Sequence, residues 1–149
     1  MDHTTQEQLE KINQQMKELT GIYRAAVSAL GMSENEFWIW YALIHGEEEL
    51  AQQDICEMWG FSKQTVNTIV SHMVRDHYAT LEVVPGTRNR KHIHLTPQGR
   101  AYGEGIVVPI SRAEVRALER IPLEERTACL AVLANYTKLL KEEIHGAQN

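Results

Sequence analysis

Apolar positions along the chain follow a helical period almost everywhere, with one short stretch that does not. Leu9, Ile12, Met16, Leu19, Tyr23, Ala26 and Leu30 recur in steps of three and four, and this single seam predicts a long first helix over 7–30. Such a seam suits packing on its own domain and packing on a second chain equally well. Ser33 followed by Glu36 has the form of a capping box. It opens a second helix to about Ile44 that carries Phe37, Trp38, Trp40 and Tyr41. Gly46 with Glu47, Glu48 and Glu49 marks the break after it. A short third helix over 51–59 puts Ala51, Ile55 and Met58 on one face. Gly60 ends that helix where a left-handed C-cap is wanted. Ser62 caps a fourth helix to about His77, with Val66, Ile69, Val70, Met73 and Val74 as a complete buried stripe.

After Tyr78 the texture changes. Residues 80–84 have strand propensity, 85–91 form a turn rich in positive charge, and 92–95 alternate polar and apolar as a returning strand. Thr96-Pro97 reads as an N-cap with proline at the first helical position. Gly103, Gly105 and Pro109 predict that this fifth helix is kinked or interrupted before Ser111. Pro122 starts the last helix, whose apolar seam is Leu130, Leu133, Leu140 and Ile144. There is no internal repeat or low-complexity stretch. The expected fold is therefore mainly α with a small β-hairpin wing.

The third and fourth helices, joined by the turn Gly60-Phe61-Ser62, make a helix-turn-helix. Gly60 supplies a residue tolerant of positive φ. Cys56, four positions earlier, supplies a small side chain where the helices cross, and Val66, six later, supplies the buried contact that locks them. With Ser62 at its cap, the polar face of the fourth helix carries Lys63, Gln64, Thr65, Asn67, Thr68, Ser71, His72 and Arg75. Short hydroxyls and amides with cations at both ends suit a DNA major groove. There Gln64 and Asn67 could pair with adenine edges, and Thr65 and Thr68 could meet thymine methyls or phosphates. The hairpin tip carries Arg88, Asn89, Arg90 and Lys91 with no acid, which fits a narrow minor groove beside it.

Composition adjusts this picture more than it makes it. The 149 residues, 43% hydrophobic and 23% charged, suit a single domain spanning 1–149. A net charge of −5 argues against a nucleic-acid binder until its distribution is considered. Between Gly60 and Arg100 six cations face only Asp76 and Glu82, leaving +4, while the rest of the chain carries −9. Local charge, not total charge, sets counterion release from DNA.

Several function classes fall away. No apolar run is long enough to span a membrane, and the opening residues lack the basic start and apolar stretch of a signal peptide, so a cytoplasmic protein is expected. No nucleophile elbow, phosphate loop or dinucleotide fingerprint appears, so neither an enzyme nor a cofactor is expected. Of the histidines, His72, His77, His92 and His94 fall in the DNA-binding lobe, His45 has no helical partner three or four residues on, and the fifth helix contains none. No metal is expected. Cys56 is accounted for by the helix crossing and Cys129 by a core position of the last helix, so redox sensing is not expected either.

The helix-turn-helix, the wing and the Leu95-Thr96-Pro97-Gln98-Gly99 box after it, set between one N-terminal and two C-terminal helices, resemble the multiple-antibiotic-resistance regulator (MarR) family over essentially the whole chain. The most specific pieces are that box and the run Phe61-Ser62-Lys63-Gln64-Thr65-Val66-Asn67. The resemblance implies a sequence-specific, DNA-binding transcriptional regulator, a repressor, that binds a pseudo-palindromic operator as a homodimer. It also implies a winged lobe at 33–100 with dimerisation helices at 1–32 and 101–149. Because many members respond to small aromatic molecules, it implies an effector pocket, for which Tyr23, Trp38, Tyr41 and His45 are the candidate lining; the same spacings also suit plain core. One departure stands out. The family's wing carries an Asp shortly before its key Arg, and Gly86-Thr87 occupies that place here, which leaves the minor-groove role open between Arg88 and Arg90. The alternative function is a winged-helix module for protein–protein contact without specific DNA binding.

Overall fold

In the computed structural model, which describes residues 3–46 and 49–147, the element order is α1 (His3–Ala29), α2 (Glu34–His45), α3 (Gln52–Trp59), α4 (Lys63–Arg75), β1 (Ala79–Val83), β2 (Lys91–Leu95), α5 (Pro97–Glu119) and α6 (Leu123–Ala147). Met1 and Asp2, part of the stretch read for a signal peptide, and Glu47 and Glu48, part of the predicted break after α2, lie outside the described residues.

Local chemistry sets the helix starts. An N-terminal turn leaves four N–H groups without intrahelical partners, and short hydroxyls accept from them here. Ser33 Oγ takes the Glu36 N–H at 3.2 Å, Ser62 Oγ the Thr65 N–H at 3.1 Å and Thr96 Oγ1 the Gly99 N–H at 3.0 Å. The strands pair antiparallel from Ala79 opposite Leu95 to Val83 opposite Lys91; β1 lies one residue earlier than predicted, and β2 begins one residue earlier but ends at Leu95 as predicted. The shift follows from the end of α4. His77 adopts a left-handed φ of 62°, and the Tyr78 N–H reaches back to the Met73 carbonyl at 2.8 Å, so the helix closes at Arg75 instead of running to His77.

The chain divides into two units, one up to Val107 and one from Val108. The core lies in the first. Phe37, Ile39 and Trp40 of α2 are buried with Ile55 of α3, Val66, Val70 and Met73 of α4, Ala79 and Ile93 of the hairpin, and Ile106 and Val107 of α5. Each large apolar side chain so buried contributes about 1.5–3 kcal/mol. Ile69 and Val74 are only half-buried, so the α4 stripe is narrower than its periodicity suggests. Met58 departs further from expectation at 61% exposed. Its neighbour Trp59 turns inward instead and stacks on Trp38 with ring centroids 5.1 Å apart.

The predicted interruption before Ser111 does not occur. α5 runs unbroken from Pro97 to Glu119 with Pro109 inside it. Gly103 is there for packing: a Cβ at that position would lie 2.7 Å from Trp40 Cε3 and 2.8 Å from Ile44 Cδ1. Pro109 costs α5 one intrahelical hydrogen bond and sits where the two units divide.

In the second unit, α6 begins after Pro122, whose carbonyl accepts the Arg126 N–H at 3.1 Å. No residue of α6 is buried in the single chain. The seam Leu130, Leu133, Leu140 and Ile144 is exposed along its length. Cys129 is exposed as well, contrary to its expected core position, because the apolar face of this helix is left uncovered.

Candidate nucleic-acid interface

Gly60 closes α3 at φ 68° and ψ 25°, and a Cβ there would meet nothing within 4 Å. The glycine is demanded by the backbone angle and not by space. The turn sets α4 against α3 across the fully buried Ile55 and Val66. Between the two helices lies a recess of about 370 Å³ lined by Gln52, Gln53, Cys56, Lys63, Gln64 and Asn67, so Cys56 sits half-buried at the angle expected for it.

The polar face of α4 is open. Lys63, Gln64, Asn67, Thr68, Ser71, His72 and Arg75 are all exposed. Ser62 and Thr65 are engaged with each other. Ser62 Oγ donates to Thr65 Oγ1 at 2.8 Å while accepting the Thr65 N–H, so these two hold the helix start. Arg75 Nε lies 3.4 Å from Asp76 Oδ1, an exposed pair of small energetic weight.

At the wing tip the Val84 N–H donates to the Arg90 carbonyl at 2.8 Å, and the Thr87 hydroxyl donates to the Val84 carbonyl at 2.7 Å. Thr87, standing where the family pattern has an acid, closes the turn. Arg88, Asn89 and Lys91 are exposed, and no carboxylate among the described residues pairs with the Arg88 guanidinium. Arg90 is placed differently. Its Nη2 lies 2.6 Å from Asp54 Oδ1 on α3.

Asp54 and its neighbours tie the wing to the start of α3. The second oxygen of Asp54 accepts the Ala51 N–H at 2.8 Å. Gln53 Nε2 donates to the Asn89 carbonyl at 3.4 Å, and the Ile93 N–H donates to the Leu50 carbonyl at 2.8 Å. Sequence reasoning passed over Asp54 and Gln53. The available signal was an acid in the first turn of a helix whose chain later supplies an acid-free cationic turn.

Burial works to raise the Asp54 carboxyl, but the Ala51 N–H, the Arg90 guanidinium and the charge of His92 outweigh it and hold the group below its ordinary 3.8. A depressed carboxylate stabilises the fold above its unfolded value and loses that contribution as pH falls through the folded one. The wing–α3 tie is therefore at full strength above pH 3.8 and fades only in stronger acid. Carboxyl carbon NMR should give Asp54 a midpoint below 3.8, and Arg90→Ala should move that midpoint upward.

The four residues expected to line an effector pocket do come together. Ring centroids lie 5.1 Å apart for Tyr23–Trp38, 5.3 Å for Trp38–Tyr41 and 4.6 Å for Tyr41–His45. Trp59 and Phe37, which sequence reasoning left out of this set, complete the cluster against Trp38 and Tyr41. The rings pack on one another, and the recess at the α1–α2 corner is lined instead by Arg24, Val27, Ser28, Gly31, Met32 and Glu34. Among the described residues no helix is long and apolar enough to cross a membrane.

A model of the MarR family matches residues 30–88. No curated protein matches the chain. Among solved structures, the MarR family regulator NMB1585 of Neisseria meningitidis superposes with a TM-score of 0.79 at 18% identity, covering 92% of this chain and 96% of that one. FabT of Streptococcus pneumoniae, in complex with DNA, gives 0.68 at 16% identity over 90% and 98%. MarR of Staphylococcus aureus, in complex with salicylate and kanamycin, gives 0.70 at 12% identity over 95% of each chain. At these identities the likeness is one of fold, and it extends over nearly the whole length: a winged helix-turn-helix with helices before and after it.

Proposed function

We propose that this chain, whose residues 30–88 match a model of the MarR family, is a transcriptional regulator of that kind and represses transcription by binding a pseudo-palindromic operator as a homodimer. The observation that carries this reading is the open polar face of α4 beside a wing whose Arg88 has no carboxylate partner among the described residues while Arg90 is held by Asp54. With α4 in the major groove, Gln64 and Asn67 reach base edges, and Lys63, Thr68, Ser71, His72 and Arg75 serve edges or phosphates. Arg88 enters the minor groove, and Asn89 and Lys91 flank it. The exposed apolar seams of α1 and α6 supply the surface for a second copy. A small aromatic effector that stacks on the Tyr23–Trp38–Tyr41–His45 cluster would act next to α2 and α3, the elements on which α4 rests.

Selection of bound duplexes from a random pool tests the reading. Two half-sites with centres about 10 base pairs apart, or a multiple of that, are expected. Arg88→Ala should weaken binding to all duplexes and lower the salt slope by about one per protomer. Gln64→Ala or Asn67→Ala should instead relax preference at one base pair, at a cost of about 1–3 kcal/mol on the preferred site. Unchanged affinity in all three variants at fixed salt would overturn the proposal. A flat salt dependence of the wild type would favour the protein–protein module.

A further inference from the structure

Two elements must reach DNA together, and both are fastened to α3. The recognition helix α4 is fastened through the Gly60 turn and the buried Ile55 and Val66. The wing is fastened at its base by the Ile93–Leu50 hydrogen bond and nearer its tip by Arg90 on Asp54 and the Asn89 carbonyl on Gln53. A two-stranded hairpin has little stiffness of its own, and Val83, at the outer end of β1, is 51% exposed. The contacts near the tip therefore decide where Arg88 points relative to α4.

We propose that Asp54 is a positioning residue for DNA recognition: through Arg90 it holds the wing at the angle where Arg88 meets the minor groove while α4 occupies the major groove. This rests on the DNA-binding reading above. The sign of the charge makes it testable. Asp54 is an acid beside the cationic wing, so if only its field mattered, neutralising it would tighten binding to a polyanion. Positioning demands the opposite. Asp54→Asn keeps a side-chain oxygen for the Ala51 N–H and removes the charge that holds Arg90.

The test uses the full chain and 30-base-pair duplexes carrying the site the wild type selects, with either an A-tract or G·C pairs where the wings fall. Wild type should prefer the A-tract, whose minor groove is narrow. Asp54→Asn should bind the A-tract duplex about tenfold more weakly, as for loss of a base-groove contact. It should lose the preference between flanks and keep the wild-type salt slope. Arg90→Gln should reproduce this without touching the start of α3, and Arg90→Lys, which keeps a cation, should largely restore the preference. Equal melting temperatures exclude unfolding as the cause, and Arg90→Gln carries the test if Asp54→Asn melts early. If Asp54→Asn or Arg90→Gln binds as tightly as wild type or more tightly, with the flank preference intact, the positioning role is overturned and the DNA-binding reading stands. Failure of the wild type to bind any duplex in the pool overturns both.

Discussion

Replacing Gly99 with alanine is expected to destabilise the winged lobe by about 3 kcal/mol, the upper range for overpacking. A Cβ at this position would lie 1.8 Å from the Tyr78 carbonyl oxygen and 2.7 Å from its carbon. Both obstacles are backbone, so no rotamer change relieves them. The Tyr78 carbonyl cannot retreat easily either, because it accepts the Thr96 N–H at 3.0 Å. Thr96 adds a second restraint: its hydroxyl donates to the His77 carbonyl at 2.7 Å while accepting the Gly99 N–H. The Leu95-Thr96-Pro97-Gln98-Gly99 box thus has a mechanical meaning. It lays the first turn of α5 directly on the junction between α4 and β1, and glycine is what lets the two backbones approach. Thermal melting at fixed protein concentration should show a fall of about 6–12 °C. A shift of a degree or less would mean that α5 does not pack on Tyr78 in this way.

The second large effect is expected at Leu130→Asp in α6. Leu130 is 69% exposed in the single chain, and surface substitutions of that kind normally change stability by about 0.5 kcal/mol or less. If a second copy covers α6, the same substitution buries a charge at two symmetry-related places, each costing several kcal/mol. Sedimentation should then find the variant monomeric at micromolar concentration. Operator affinity should fall about a hundredfold or more, because the two half-sites would be bound independently. A variant that remains dimeric, or a monomer that binds the operator as well as wild type, would remove the homodimer from the proposal. Leu9, Ile12, Met16 and Leu19 on α1 form an exposed apolar stripe of the same kind.

Much of the fold was legible because it is written in short-range chemistry. Ser33, Ser62 and Thr96 start their helices, Gly60 turns the chain between α3 and α4, and Val66 and Val70 mark the inward face of α4, all through contacts a few residues apart. Where those rules failed, a distant neighbour had overridden them. Gly103 read as a helix breaker and is a seat for the Trp40 ring, 63 positions earlier in the chain. Met58 read as core, but Trp59 takes the inward place by stacking on Trp38 of α2. Cys129 read as interior, and periodicity cannot say whether an apolar face is covered by its own chain or by another.

The candidate site divides in the same way. Residue type and helical spacing alone determined that Lys63, Gln64, Asn67, Thr68, Ser71, His72 and Arg75 share a face, since 3.6 residues per turn leaves no other arrangement once Val66 and Val70 are buried. They could not separate the two wing arginines, which have the same chemistry two positions apart. Only the tertiary structure did so, by bringing Asp54 of α3 within 2.6 Å of Arg90 and leaving Arg88 without a carboxylate partner among the described residues. The physical reason is reach. An ion pair needs its groups within about 4 Å, and across 36 positions of sequence only the folded backbone decides which arginine comes that close.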